Sequence, residues 1–288
     1  MAATVAYRKM NGLGNDFVVL DARAHKVALS GDQVRWIADR EQGIGCDQLI
    51  VVTAPSANGI DAGMRTYNAD GGEVAACGNA TRCIAAMLTE ETGRPDTVIE
   101  TAAGILRAHR AGEVVTVDMG PPRFRWDEIP LAEPFEDTRG IELQIGPIDA
   151  PVLHTPSALN VGNPHAIFWV SDPSAYDLGR LGPLLENHPI FPERANISLA
   201  RIDSREHLTV VTWERGAGLT RACGTAACAA AVAAARKGLA GRKVTVSLPG
   251  GDLKIEWRES DGHILMTGPF SFDGEGTLPA ELFAESAA

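Results

Sequence analysis

The sequence predicts an α/β fold built as two related halves, and three observations predict it. A short phrase occurs twice, ACGNATRC at 76–83 and ACGTAAC at 222–228. Each copy joins a cysteine, a glycine and a small hydrogen-bonding residue to a run suited to a helix. A Gly-Asn turn precedes each copy, GND at 14–16 and GNP at 162–164. The length of 288 residues, at roughly 150 residues per domain, corresponds to about two domains. Intervals inside the halves differ, so the repeat reads as a diverged duplication. A hydrophobic share of 45% and a charged share of 22% supply a core and argue against global disorder.

Taken in order, residues 9–14 read as a strand end and a Gly-bearing turn, and 17–20 as a short apolar strand. Val34, Ile37 and Ala38 recur at helical spacing within 32–39. GIGCDQLIVV gives a turn and a buried strand at 49–52, and 59–67 reads as another strand. Asp70-Gly71-Gly72 is a turn. From Asn79 the apolar residues Ile84, Met87 and Leu88 mark a helix that Gly93 and Pro95 stop. Strands follow at 98–101 and 104–109. At 113–119, Val115, Val117 and Met119 alternate with Thr116 and Asp118, a half-buried strand. The stretch 120–136 is rich in Pro and charge, which places a boundary near Arg123. The second half predicts strands at 141–145, 150–155 and 162–170, helical and loop sequence over 176–188, and strands in FPERANISLARI and HLTVVTW. Its cysteine-led helix ends at Lys237 and Gly238. Strands at 243–248, 253–257 and 263–267 close it, and the tail from Gly268 returns to the first half. The predicted domains are therefore 1–123 plus 268–288, and 124–267.

The formal charge of −11 argues against nucleic acid or an anionic membrane as the main partner, but leaves a small anionic substrate open. The longest apolar run, 226–235, is too short to span a bilayer. The N-terminal MAATVAYRKMNG has no apolar signal core, so a cytoplasmic location with reduced thiols is expected. The cysteines are Cys46, Cys77, Cys83, Cys223 and Cys228. An odd number is a poor disulfide framework, and intervals of six and five residues do not match a zinc knuckle. No metal is expected. Cys46, Cys83 and Cys228 read as core residues.

Cys77 and Cys223 differ from the other three because each stands at a helix start. Unpaired N–H groups and the positive dipole end there favour a thiolate and can cradle a carboxylate. Two such helix ends facing each other would set one sulfur on each side of a carbon next to a carboxylate. One thiolate could remove the Cα proton while the other thiol protonates the opposite face. Mutual repulsion of two thiolates leaves one proton shared between them. No pyridoxal lysine motif or flavin site stands out, so no cofactor is expected, and the helix ends would have to stabilise the carbanion.

The blocks MNGLGNDFVVLD, GIGCDQ, NADGGEVAACGNATRC, GNPHAIF, FPERANI and ERGAGLTRACGTAAC run in order from residue 10 to about 235 and resemble the diaminopimelate epimerase family. The resemblance implies two pseudo-symmetric domains, each a barrel-like mixed β-sheet around a central helix, with the site in the cleft between them. It implies cofactor-independent conversion of LL- to meso-diaminopimelate for lysine and peptidoglycan synthesis, and a homodimer. Cys77 and Cys223 match the two catalytic bases. Asn15, Gln48, Gly78, Asn79, Gly224 and Thr225 match positions around the reacting centre; Asn68, Asn163, Asn196, Glu214 and Arg215 match those holding the distal one. Arg215 suits a carboxylate, and Glu214 an ammonium. His165 matches a family histidine that either tunes cysteine charge, orients a neighbour or is structural, and Glu214 can also influence a thiol. The sequence departs from the family pattern at Asn11, where histidine is usual, and at Ala80 and Ala226, where glycine is common. A proline or hydroxyproline racemase is the nearest alternative, but the distal set has little purpose for a cyclic imino acid. A carboxylate-binding or thiol-redox protein is the non-enzymatic alternative.

Overall fold

A computed structural model describes residues 5–25, 27–74, 77–279 and 282. The chain divides into two compact units, Met1–Val117 with Gly268–Ala288, and Asp118–Thr267.

In the first unit, strand Ala6–Gly12 pairs antiparallel with both Asn15–Ala22 and Ser271–Thr277. Asn15–Ala22 runs parallel to Gln48–Thr53, which pairs antiparallel with Ala62–Asn68. Ala62–Asn68 then meets Asp96–Thr101 in parallel, and that strand forms a hairpin with Gly104–Ala111. Helix α1 (Gly31–Ala38) brings Val34 and Ile37 against Val18, Leu20, Leu49 and Val51 on one face of this sheet. Phe17 and Val19 alternate with them and point to the other face. All four residues 17–20 are buried for that reason. Helix α2 (Gly78–Thr92) lies against Ala6–Gly12, Asp96–Thr101 and Gly104–Ala111. Every residue of α2 from Gly78 to Leu88 is buried, so strands surround the helix. It ends at Gly93, whose φ of 68° is the left-handed cap glycine adopts without steric cost.

The second unit repeats this order. Ser157–Asn160 pairs antiparallel with Pro164–Trp169, which runs parallel to Asn196–Ser204. That strand pairs antiparallel with His207–Glu214, which meets Lys243–Leu248 in parallel. Gly251–Trp257 and Ile264–Pro269 follow, both antiparallel. Helix α3 (Leu178–Glu186) takes the place of α1, and α4 (Gly224–Arg236) takes that of α2. Helix α4 touches six strands of its unit, from Ser157–Asn160 round to Gly251–Trp257. Alanine dominates it because a helix enclosed so closely has room for little more than a methyl group, and alanine has no helix-propensity cost.

Three expectations need correction. The predicted strands 141–145 and 150–155 reduce to a two-residue pair, Gln144–Ile145 with Leu153–His154. Ile141 and Leu143 are buried alternately as in a strand, but the prolines at 147, 151 and 156 withdraw ladder donors around them. Ser157–Asn160 is a strand instead; all four of its residues are buried, so no alternation announces it. The segment Ser271–Thr277, read only as a returning tail, is a seven-residue strand.

Candidate active site

The strand registers gather the predicted polar residues at one end of each sheet. In the first unit Asn15 opens its strand, Phe17 lies opposite Gln48, and Gln48 lies opposite Asn68. In the second, Asn163 directly precedes its strand, His165 lies opposite Asn196, and Glu214 ends the strand whose Trp213 faces Ile197. The cysteine-led helix of each unit starts beside these ends.

Two tight turns set the first residue of each group. Gly12 faces Asn15 across Leu13 and Gly14, which have φ of 64° and 83°. A two-residue hairpin with both φ positive suits the strand twist, but holding Leu13 there costs about 1–2 kcal/mol. The Gly14 N–H donates to Asn11 Oδ1 at 2.7 Å, so Asn11, one of the departures, fixes the turn before Asn15. A Cβ on Gly12 would lie 3.1 Å from Arg82 and 3.2 Å from the Asn79 carbonyl, which explains the glycine. The matching turn in the second unit uses Gly162 at φ 106°, whose N–H donates to Asn160 Oδ1.

Around Cys77, the thiol donates to Asn15 Oδ1 at 3.8 Å and Asn79 Nδ2 reaches the same oxygen at 3.4 Å. Asn15 Nδ2 donates to Asp47 Oδ2 at 3.0 Å, which fixes the amide with its oxygen toward the sulfur. Arg40 bridges Asp47 and Asp16; burial is the largest single influence on the Asp16 carboxyl and opposes its ionisation, but Arg40 and the Asp47 N–H, which donates to Asp16 Oδ1, hold it below its usual range. Arg82, fully buried, donates to Asn79 Oδ1 at 2.9 Å. Gln48 Nε2 donates to Asn68 Oδ1, and Gln48 Oε1 is buried with no partner among the described residues.

Around Cys223, Thr225 Oγ1 lies 3.4 Å from the sulfur and accepts from Asn163 Nδ2 at 3.4 Å. Asn163 Oδ1 lies 2.8 Å from His165 Nε2. Burial, with the nearby Arg215 charge, pushes His165 down to about 3. The ring is therefore neutral at ordinary pH; it donates from Nε2 and orients Asn163, and cannot tune the cysteine by its own charge. Asn196 Nδ2 donates to the Pro164 carbonyl, and its Oδ1 accepts from the Arg215 N–H. Glu214 accepts from Thr220.

Neither cysteine is replaced by a capping oxygen. Helices α1 and α3 are capped by Ser30 and Asp177, whereas α2 and α4 have Cys77 and Cys223 at the cap, no side-chain cap bond and no acidic residue in the first turn. Cys77 is partly exposed and the other four cysteines are buried. Taken alone, a helix N-terminus favours a thiolate. At Cys223 burial dominates and the Glu214 carboxylate adds to it, so this thiol is raised well above its ordinary value, although Thr225 and the Ala226 N–H pull the other way. Cys46 and Cys83 are pushed up to about 12 by burial. Ala80 and Ala226 are fully buried, so their methyl groups belong to helix packing.

Sequence reading missed Asp47, Arg40, Thr220 and Glu186. Asp47 stands in the quoted GIGCDQ block beside Gln48 and Thr220 in ERGAGLTRACGTAAC, so a signal was available for both; Arg40 and Glu186 lie outside the quoted blocks and give none in sequence.

Among the described residues no helix is long and apolar enough to cross a membrane. The family model described as diaminopimelate epimerase matches residues 7–125 and 157–272. A diaminopimelate epimerase of Rhodopseudomonas palustris is 58% identical over 99% of both chains, and one of Bradyrhizobium sp. is 56% identical over the same shares. Among solved structures, a probable proline racemase from Agrobacterium radiobacter is similar with a TM-score of 0.69 at 16% identity, over 98% of this chain and 94% of its own. A predicted epimerase from Pseudomonas aeruginosa gives 0.65 at 19%, over 95% and 99%. At such identities the structural likenesses speak to fold alone.

Proposed function

The chain belongs to the diaminopimelate epimerase family, and from that premise we propose that it converts LL- to meso-diaminopimelate without a cofactor, using Cys77 and Cys223 as paired acid and base. The observation that carries this reading is the pair of helices α2 and α4. They occupy equivalent places in two units of the same topology, and each gives up a capping oxygen for a sulfur. A first turn without a capping oxygen keeps N–H groups, apart from the Ala226 N–H that faces the Cys223 sulfur, for a substrate carboxylate and for the negative charge that develops when Cα loses its proton. A capping aspartate would occupy those donors and repel the anion.

The two sulfurs have separate duties at rest. Cys223 holds its proton, because burial and Glu214 disfavour its thiolate, and it serves as the acid. Cys77, the more exposed, serves as the base. After one turnover the proton has moved and the reverse direction runs by the same steps. Gly78, Asn79, Gly224 and Thr225 supply first-turn donors, with Asn15 and Gln48 beside the reacting centre. Asn68, Asn163, Asn196, Glu214 and Arg215 hold the distal amino-acid group. Of these, Asn68, Asn163 and Asn196 can donate or accept, since each amide has two N–H groups and each oxygen two lone pairs. A site of this kind rejects analogues that leave its polar members unpaired. We further place the enzyme in the cytoplasm, as a homodimer, on the strength of the family resemblance; sedimentation velocity measures the latter.

NMR of diaminopimelate in heavy water tests the reading. Deuterium should enter at Cα as the isomers equilibrate, while proline stays unlabelled. Cys77→Ala and Cys223→Ala should each lower turnover by at least about 10³-fold, the scale of losing a positioned acid or base. Equilibration persisting in either variant overturns the two-base assignment; labelled proline favours the racemase alternative.

A further inference from the structure

Glu186 ends helix α3 and is 4% exposed, in a place where an isolated carboxylate would be strongly disfavoured. Three donors surround it. Trp213 Nε1 reaches Oε2 at 2.6 Å. The Gly216 N–H and Arg194 Nη1 reach Oε1 at 2.9 Å and 3.2 Å.

The positions of those donors in the chain give the arrangement its meaning. Trp213 and Gly216 bracket Glu214 and Arg215. Arg194, in the left-handed region at φ 60°, stands two residues before Asn196, and its neighbour Glu193 offers the carbonyl that accepts from Arg215 Nη1 at 2.9 Å. Arg215 N–H in turn donates to Asn196 Oδ1. One buried carboxylate therefore ties together both turns that present Asn196, Glu214 and Arg215. Helix α3 also pins Trp213 sterically: a Cβ on Gly182 would run into the indole.

We propose that Glu186 is a positioning residue for recognition of the substrate's distal amino-acid group, holding the 214–216 turn and the 193–196 turn in register. It touches no reacting atom. The inference rests on the reading above, in which Glu214, Arg215 and Asn196 grip that distal group.

Glu186→Gln keeps the shape but turns an N–H₂ group toward one of the donors, such as Trp213 Nε1, from which the carboxylate accepts. The Michaelis constant for diaminopimelate should rise about tenfold with kcat changed less than threefold, and selectivity over an analogue lacking the distal amino group should fall by a similar factor. Trp213→Phe in the same chain removes one opposing donor and should restore part of the lost affinity. If Glu186→Gln does not fold, Trp213→Phe and Arg194→Ala in the wild-type background each remove one donor and should raise KM several-fold. A purely structural Glu186 would lower the melting temperature with KM and selectivity unmoved, and that result overturns the proposal. Absence of diaminopimelate turnover in the wild-type protein overturns the functional reading itself and takes the inference with it.

Discussion

At the scale of single residues, the site is organised by groups that do no chemistry. The neutral His165 ring fixes Asn163, Asn163 reaches Thr225, and Thr225 lies against Cys223. His165 also has a measurable thermodynamic signature. Its pKa falls from an ordinary value near 6.5 in the unfolded chain to about 3 in the folded one. Between those values the unfolded chain binds the extra proton and the folded one does not. Its contribution is fully present above pH 6.5 and is lost as pH falls toward 3, at up to about 1.4 kcal/mol per pH unit. Denaturant unfolding of His165→Gln at pH 7, 5.5 and 4.5 should show a slope in this window smaller by about one proton than that of the wild type. Equal slopes would mean that His165 charges inside the folded protein. Cys46 and Cys83 act at the other extreme: their folded pKa values near 12 are raised, so stability declines once pH passes about 9.

At the scale of elements, caps decide function against stability. A serine at an N-cap is worth about 0.5–2 kcal/mol over a residue that cannot cap. Cys223→Ser would place an oxygen where the Ala226 N–H now faces sulfur. This variant should raise the unfolding free energy by about 0.5–1 kcal/mol while turnover falls at least 10³-fold; urea unfolding beside an epimerisation assay measures both. A variant both inactive and less stable would show that the sulfur already caps α4 as well as an oxygen would. Legibility in sequence follows the same physics. Both cysteine helices, their glycine stops and the strand at 114–118 were readable because local periodicity and end signals agreed. Ser157–Asn160 was not, because a strand buried on both faces carries no alternation. The first strand, AYRKMNG, and the last, SFDGEGT, carry charge and glycine that disguise them. Glu186 was invisible for a different reason: in LGPLLE it looks like a solvent-facing helix residue, and only the approach of Trp213 from a distant strand makes it a buried acceptor.

At the scale of the whole molecule, the order of parallel and antiparallel pairings is the same in both units, yet they are closed differently. The second unit is one stretch of chain. The first needs the end of the chain, because Ser271–Thr277 forms one neighbour of Ala6–Gly12 along six registered pairs. Ala6–Gly12 also leads into the Leu13–Gly14 turn that sets Asn15, so the far end of the sequence supports the polar group around Cys77. A chain truncated after Phe270 keeps the Pro269 carbonyl that accepts from Arg82 but loses this ladder. At about 1 kcal/mol net per hydrogen bond, the first unit should lose roughly 3–6 kcal/mol. Urea unfolding followed by the fluorescence of Trp36 in the first unit should then show an early transition, while the signal from tryptophans of the second unit keeps its midpoint. A single transition at an unchanged midpoint would mean that Asn15–Ala22 alone holds the first strand, and that the returning segment contributes nothing to the unit that carries Cys77.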